Sequence, residues 1–255
     1  MNRNLIALYT ILRREIVRLF RIWPQTFVPP LITQSLYFAV FGGIIGSQIA
    51  PVHGISYMAY LVPGIVMMSV ILGAYTNVVF SFFSTKFQRN VEELLVSPTP
   101  YSIILFGYVL GGVFRALFTG SLVFLVSFFF VHPTVQHPFV VLLFAILTSI
   151  IFALGGFLNA LWAKNFDDAG IFATFVLTPL TYLGGVFYSI KSLPPFFQAV
   201  SRFNPIVYMV DGFRYGFYGF NDTNPLIGAG FLIVVSLVLV GANLRLLNKG
   251  TGLRS

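Results

Sequence analysis

Between Arg115 and Lys164 the chain runs 48 residues without a charged side chain, interrupted only by His132-Pro133 and His137-Pro138. Hydrocarbon about 30 Å thick takes roughly 20 helical residues at ~1.5 Å each, so this interval holds a helix, a proline-bearing turn and a second helix. It crosses a bilayer twice. Composition agrees, with 57% of residues hydrophobic and 9% charged, against about 25% charged in an average globular chain. Without cysteine there is no disulfide or thiolate site, and three scattered histidines leave little material for a metal centre. The formal charge of +8 resides in cations that flank apolar spans instead of forming one basic face, which argues against nucleic acid as a partner.

The expected fold class is an all-α membrane protein with six transmembrane helices, at residues 28–46, 57–80, 112–131, 139–162, 169–188 and 225–246. Residues 1–255 form a single domain: a helix at 1–23, the six-span region at 28–246 and a tail at 247–255. The amino-terminal segment keeps Arg13, Arg14, Glu15, Arg18 and Arg21 where a cleavable signal needs an apolar core, so the first span should act as the insertion signal. Apolar Leu5, Leu8, Leu12, Ile16 and Leu19 recur at helical spacing opposite a cationic face, which predicts an amphipathic helix lying along the membrane surface. Pro29 and Pro30 fit the first turn of the first span, while Pro63 and Pro179 should kink theirs. Eleven of the 15 cations fall on the side of the two termini, so the positive-inside rule puts both termini in the cytoplasm. Residues 189–224, divided by Pro194, Pro195 and Pro205, predict short helices resting on or dipping into the outer leaflet.

No phosphate-binding Gly-x-x-x-x-Gly-Lys-Ser/Thr loop occurs, nor a His-Glu-x-x-His, and the acids fall outside the expected spans, so neither catalysis nor proton-coupled carriage is indicated. Arg115 reads as an inner-face anchor, snorkelling from the first turn of a span that starts at Gly112. Asp211 and Arg214, three apart on a helix, suggest a local ion pair. The amphipathic stretch from Lys86 to Pro100, with Arg89, Glu92, Glu93, Leu94, Leu95 and Pro98, offers a cytoplasmic protein something to grip. A non-transporting scaffold and an autonomous channel stay open as alternatives on the residues alone.

Glu92-Glu93-Leu94-Leu95-Val96-Ser97-Pro98 resembles the cytoplasmic Glu-Leu-Leu-x-x-Pro element of ABC-2 type export permeases. The stretch from Asn204 to Arg214 resembles their Asn-Pro-x-x-Tyr-x-x-Asp-x-x-Arg signature, at Asn204, Pro205, Tyr208, Asp211 and Arg214. The resemblance covers essentially the whole chain. It implies a homodimeric permease of the bacterial cytoplasmic (inner) membrane that sits on two separate nucleotide-binding subunits. ATP and Mg would then belong to the partner, with no cofactor in this chain. By the same resemblance, residues 84–100 contain the coupling helix, 1–23 the connecting helix and 189–220 the outward re-entrant helices that help close the pathway, with the signature at its outer gate.

Overall fold

The computed structural model describes residues 3–52, 54–91 and 96–252. Among them, every regular element is helical: α1 Arg3–Arg21, α2 Trp23–Tyr37, α3 Tyr57–Phe87, α4 Tyr101–Ser127, α5 Pro138–Trp162, α6 Phe166–Phe172, α7 Thr178–Tyr182, α8 Pro195–Ser201, α9 Pro205–Tyr218 and α10 Pro225–Lys249. Widened π-helical turns prolong α2 through Phe38–Ile45 and join α6 to α7 through Ala173–Leu177.

Five of these helices are long and apolar enough to cross a membrane: Trp23–Gln48, Tyr57–Phe87, Tyr101–Ser127, Pro138–Trp162 and Pro225–Lys249. Helix α3 is the axis of the bundle. Its chain start is set by Ser56, whose side chain accepts from the Ala59 amide, and most of its length is buried against α4, α5 and α9. Small residues bring the backbones together, as is usual where lipid leaves helices no hydrophobic reason to associate. A Cβ on Gly156 of α5 would lie 2.6 Å from the Tyr75 carbonyl oxygen of α3. Helix α10 packs on the periphery, presenting Leu226, Val234 and Leu237 outward, and is tied in by the fully buried Asn243, which donates to the Leu154 carbonyl at 3.2 Å.

Several expectations need correction. Helix α4 starts at Tyr101, directly after Pro100, and not at Gly112. Residues 101–114 carry no charge and pack on α1, so nothing stops the helix before Arg115. That arginine therefore sits mid-helix, about 18 Å from the Ser127 end at ~1.5 Å per residue. Pro29 and Pro30 lie inside α2 instead of in its first turn, because Pro24 occupies that position. The segment expected as a span at 169–188 is helical over 166–182 and broken by its π-turn. Pro179 lacks the amide that would close an ordinary turn, and the Thr178 hydroxyl instead donates five residues back to the Ala173 carbonyl at 2.9 Å. This segment still runs the length of α3, from Phe166 against Phe83 and Phe87, past Phe172 against Tyr75, to Val186 against Gly64.

Helix α1 also differs. It packs lengthwise on α4 through Ile11, Glu15 and Leu19, and Leu5 is exposed. An acid thus lies at the centre of the inward face.

Candidate functional site

Three groups of polar residues stand out in an otherwise apolar bundle. The first joins α1, α3 and α4. Glu15, only 1% exposed, accepts the Ser81 hydroxyl at 2.7 and 2.8 Å and the Arg18 guanidinium at 2.8 Å. Arg18 also donates to Asn77 Oδ1 at 3.0 Å. Arg14 donates to the Tyr108 hydroxyl, which donates onward to Thr85 Oγ1 at 3.0 Å. Gly111 allows the approach, since a Cβ there would meet Glu15 Cβ at 2.8 Å. The cations read as a solvated face of α1 are thus partly spent on fixing that helix to the spans.

The second group lies at the carboxyl end of α3. Lys86 Nζ donates to the carbonyls of Ala160, Leu161 and Ala163 at 3.3, 2.9 and 2.7 Å, closing the last turn of α5, where carbonyls lack intrahelical donors and a cation suits the helix dipole. Immediately beyond, Arg89 takes a left-handed conformation with φ 61°, at a cost of roughly 1 kcal/mol for a residue with a Cβ, and turns the chain away from α3. Pro98 precedes α4; Glu92, Glu93, Leu94 and Leu95 fall outside the described residues. Replacing Lys86 with methionine should cost about 1–2 kcal/mol by leaving those carbonyls unpaired. Faster amide hydrogen exchange at 160–163, with α4 unchanged, is the measurement that checks it.

The third group is the Asn204 to Arg214 stretch. Asn204 caps α9 by accepting from the Ile206 amide at 3.0 Å while donating to the Leu180 carbonyl at 2.8 Å, and Pro205 supplies the first helical residue. Tyr208 donates to the Arg202 carbonyl at 3.0 Å. Asp211 and Arg214 are both buried and do not pair with each other. Asp211 accepts from the amides of Asp222 and Thr223 at 2.8 and 2.6 Å and from the Thr223 hydroxyl at 2.6 Å. Arg214 donates to the Gly185 carbonyl at 2.9 Å and stacks 3.9 Å from the Tyr60 ring centroid. The expected i,i+3 ion pair is absent because each charge has its own partner on a different loop. Asp222 in turn accepts from Ser189 at 2.6 Å and pairs with Lys191 at 3.1 Å. Burial would raise its carboxyl, but the Ser189 hydroxyl and the Lys191 ammonium outweigh burial and hold it below the usual carboxylate range.

Asn204, Asp211 and Arg214 therefore stitch the 180–192 and 219–224 segments onto α3 and α9. An ABC-2 type transporter family model matches residues 6–218, which includes all three groups. The chain belongs to the ABC-2 type transporter family. It is 54% identical over 250 residues, 98% of each chain, to the inner membrane transport permease YadH of Escherichia coli strain K12. More distantly, it is 25% identical over 208 residues to nodulation protein J of Rhizobium leguminosarum bv. viciae, covering 80% of this chain and 79% of that one. The protein is thus an ABC-2 type transport permease, the membrane component of an ABC transporter. Sequence motifs pick out the Asn204–Arg214 stretch and the Lys86–Pro100 segment of this permease. They did not reveal Glu15, Asn77 or Ser81, whose only local signal is an acid at a core-facing helical position.

Proposed function

We propose that this permease forms, as a dimer, the translocation pathway of an ATP-driven exporter in the bacterial cytoplasmic membrane. ATP and Mg bind and react on a separate nucleotide-binding subunit. The family match over 6–218 carries this reading. In it, the 166–188 segment makes the sixth crossing, because its contacts follow α3 from Phe87 to Gly64 even though its helix is short. Both termini then lie in the cytoplasm with the loop at 88–100, and α8 and α9 form the re-entrant outer pair.

Coupling follows from how the inner end is built. A partner pressing on Arg89, Glu92, Glu93, Leu94, Leu95 and Pro98 acts on the ends of α3 and α4. Lys86 ties that end to α5, and the Glu15–Ser81 and Arg14–Tyr108 contacts tie it to α1. A push on the loop consequently moves four helices together. The outer stretch from Asn204 to Arg214 acts as the gate that this movement opens.

Reconstitution of the permease with its nucleotide-binding subunit in vesicles tests the proposal. ATP-dependent outward movement of an amphiphilic cargo is the expected result; equal movement by the permease alone would reject it. Charge reversal at Glu92 and Glu93 should reduce co-purification with the ATPase by on the order of tenfold, equivalent to about 1.4 kcal/mol, while membrane insertion is unchanged. A reversed variant that still binds and couples fully would remove those residues from the interface.

A further inference from the structure

Between α2, α3 and α4 lies a cavity of about 380 Å³ whose largely apolar wall includes Arg115, Gln34 and Thr119. Three lining atoms are buried without a hydrogen-bond partner: Arg115 Nε, Gln34 Oε1 and Thr119 Oγ1. Gln34 and Thr119 are 3% and 1% exposed, so neither side chain faces bulk solvent.

The charge is unbalanced as well. The ion pairs among the described residues are Arg14 and Arg18 with Glu15, and Lys191 with Asp222, and none includes Arg115. An arginine at mid-helix in a span costs about 2.5–3.5 kcal/mol even on the most lenient insertion scale, so an anion at this point relieves a standing penalty. On the opposite wall Pro29 and Pro30 lack the amides that would otherwise engage the Gln25 and Thr26 carbonyls, and all four residues line the cavity. The wall thus combines a fixed cation and a hydroxyl donor with amide and carbonyl acceptors.

We infer that this cavity is a binding site for a phosphate headgroup bearing neighbouring hydroxyls, held by Arg115 and Thr119 through the phosphate and by Gln34 through a hydroxyl. The occupant is a membrane phospholipid of that chemistry or a free phosphate from the cytoplasm, and the guanidinium fork suits either. The inference is independent of the export reading, because occupancy is measured without ATP or the partner subunit.

The test is lipid titration of the full-length permease by native mass spectrometry, with phosphatidylglycerol and phosphatidylcholine as probes and inorganic phosphate as competitor. Wild-type protein should retain phosphatidylglycerol about tenfold more tightly than phosphatidylcholine, the size of one charge-assisted contact of ~1.4 kcal/mol. Arg115→Gln should abolish that preference, Arg115→Lys should keep part of it, and Thr119→Val and Gln34→Leu should each weaken it about threefold. Arg21→Gln, at an exposed cation of α1, should leave it unchanged. Displacement by inorganic phosphate would identify the free anion as the occupant, and resistance to it the lipid. A wild-type protein without preference, or a preference that survives Arg115→Gln and Thr119→Val in folded protein, overturns the site. Should Arg115→Gln fail to fold, Thr119→Val and Gln34→Leu decide alone.

Discussion

Asp211→Ala should lower the unfolding free energy of the permease by about 3 kcal/mol or more, among the largest effects of any truncation in the Asn204–Arg214 stretch. The carboxylate is 4% exposed and accepts two backbone amides and a hydroxyl from the 222–223 loop. Hydrogen bonds to a charged group contribute about 1.5–3 kcal/mol, and donors left buried and unpaired add their own desolvation cost. Asparagine should not rescue, since its amide presents donors to at least one of the groups that now donate. The damage should spread, because the same loop carries Asp222, which holds Ser189 and Lys191. Thermal unfolding in detergent, with proteolysis mapped at 189–192 and 219–224, measures both parts. An Asp211→Ala protein that melts at the wild-type temperature would show that the loop is held by something else.

That interaction also marks the limit of what was legible from the chain. The motif at Asn204–Arg214 announced itself by residue type and spacing, but a spacing of three invited a local ion pair, and the real partners lie 11 and 29 residues away. Helix starts fared better where chemistry is local. Pro138 and the Asn224-Pro225 pair mark the first turns of α5 and α10, since proline loses nothing there and the asparagine caps the orphan amides.

Charges misled for the opposite reason. Arg115 reads from the chain as an anchor in the first turn of its span, because residues 116–131 alone are short for a crossing, whereas α4 carries it mid-helix beside polar side chains of α2 and α4. Glu15 accepts from Ser81, 66 residues on, and no local pattern in α1 carries that information. The 166–182 break is intermediate: Pro179 signalled a disturbance, but the form it took depended on Thr178 finding the Ala173 carbonyl.

Gly64→Ala should be still more damaging for its size, because the methyl group has nowhere to go. A Cβ at this position would lie 2.4 Å from the Val186 carbonyl oxygen and 2.9 Å from its Cα, so backbone and not a flexible side chain must yield, by about 1 Å to reach ordinary contact. The 185–187 backbone is pinned on both sides. Arg214 donates to the Gly185 carbonyl at 2.9 Å, and the Tyr57 hydroxyl donates to the Phe187 carbonyl at 2.8 Å. Retreat therefore breaks a charge-assisted bond to a guanidinium whose Nε already lacks a partner. Overpacking costs about 1–3 kcal/mol, and loss of the Arg214 contact adds about 1.5–3 kcal/mol, so a total near 4 kcal/mol is expected. Gly155→Ala is the control, because nothing lies within 4 Å of a Cβ there and the usual helix preference for alanine should make it neutral or slightly stabilising. A double-mutant cycle of Gly64→Ala with Arg214→Leu separates the two contributions, and strong non-additivity is predicted because the second substitution frees the loop that the first must move. Equal stability of Gly64→Ala and Gly155→Ala would mean that the 185–187 segment yields freely, and the Arg214 contact would then be no lock at all.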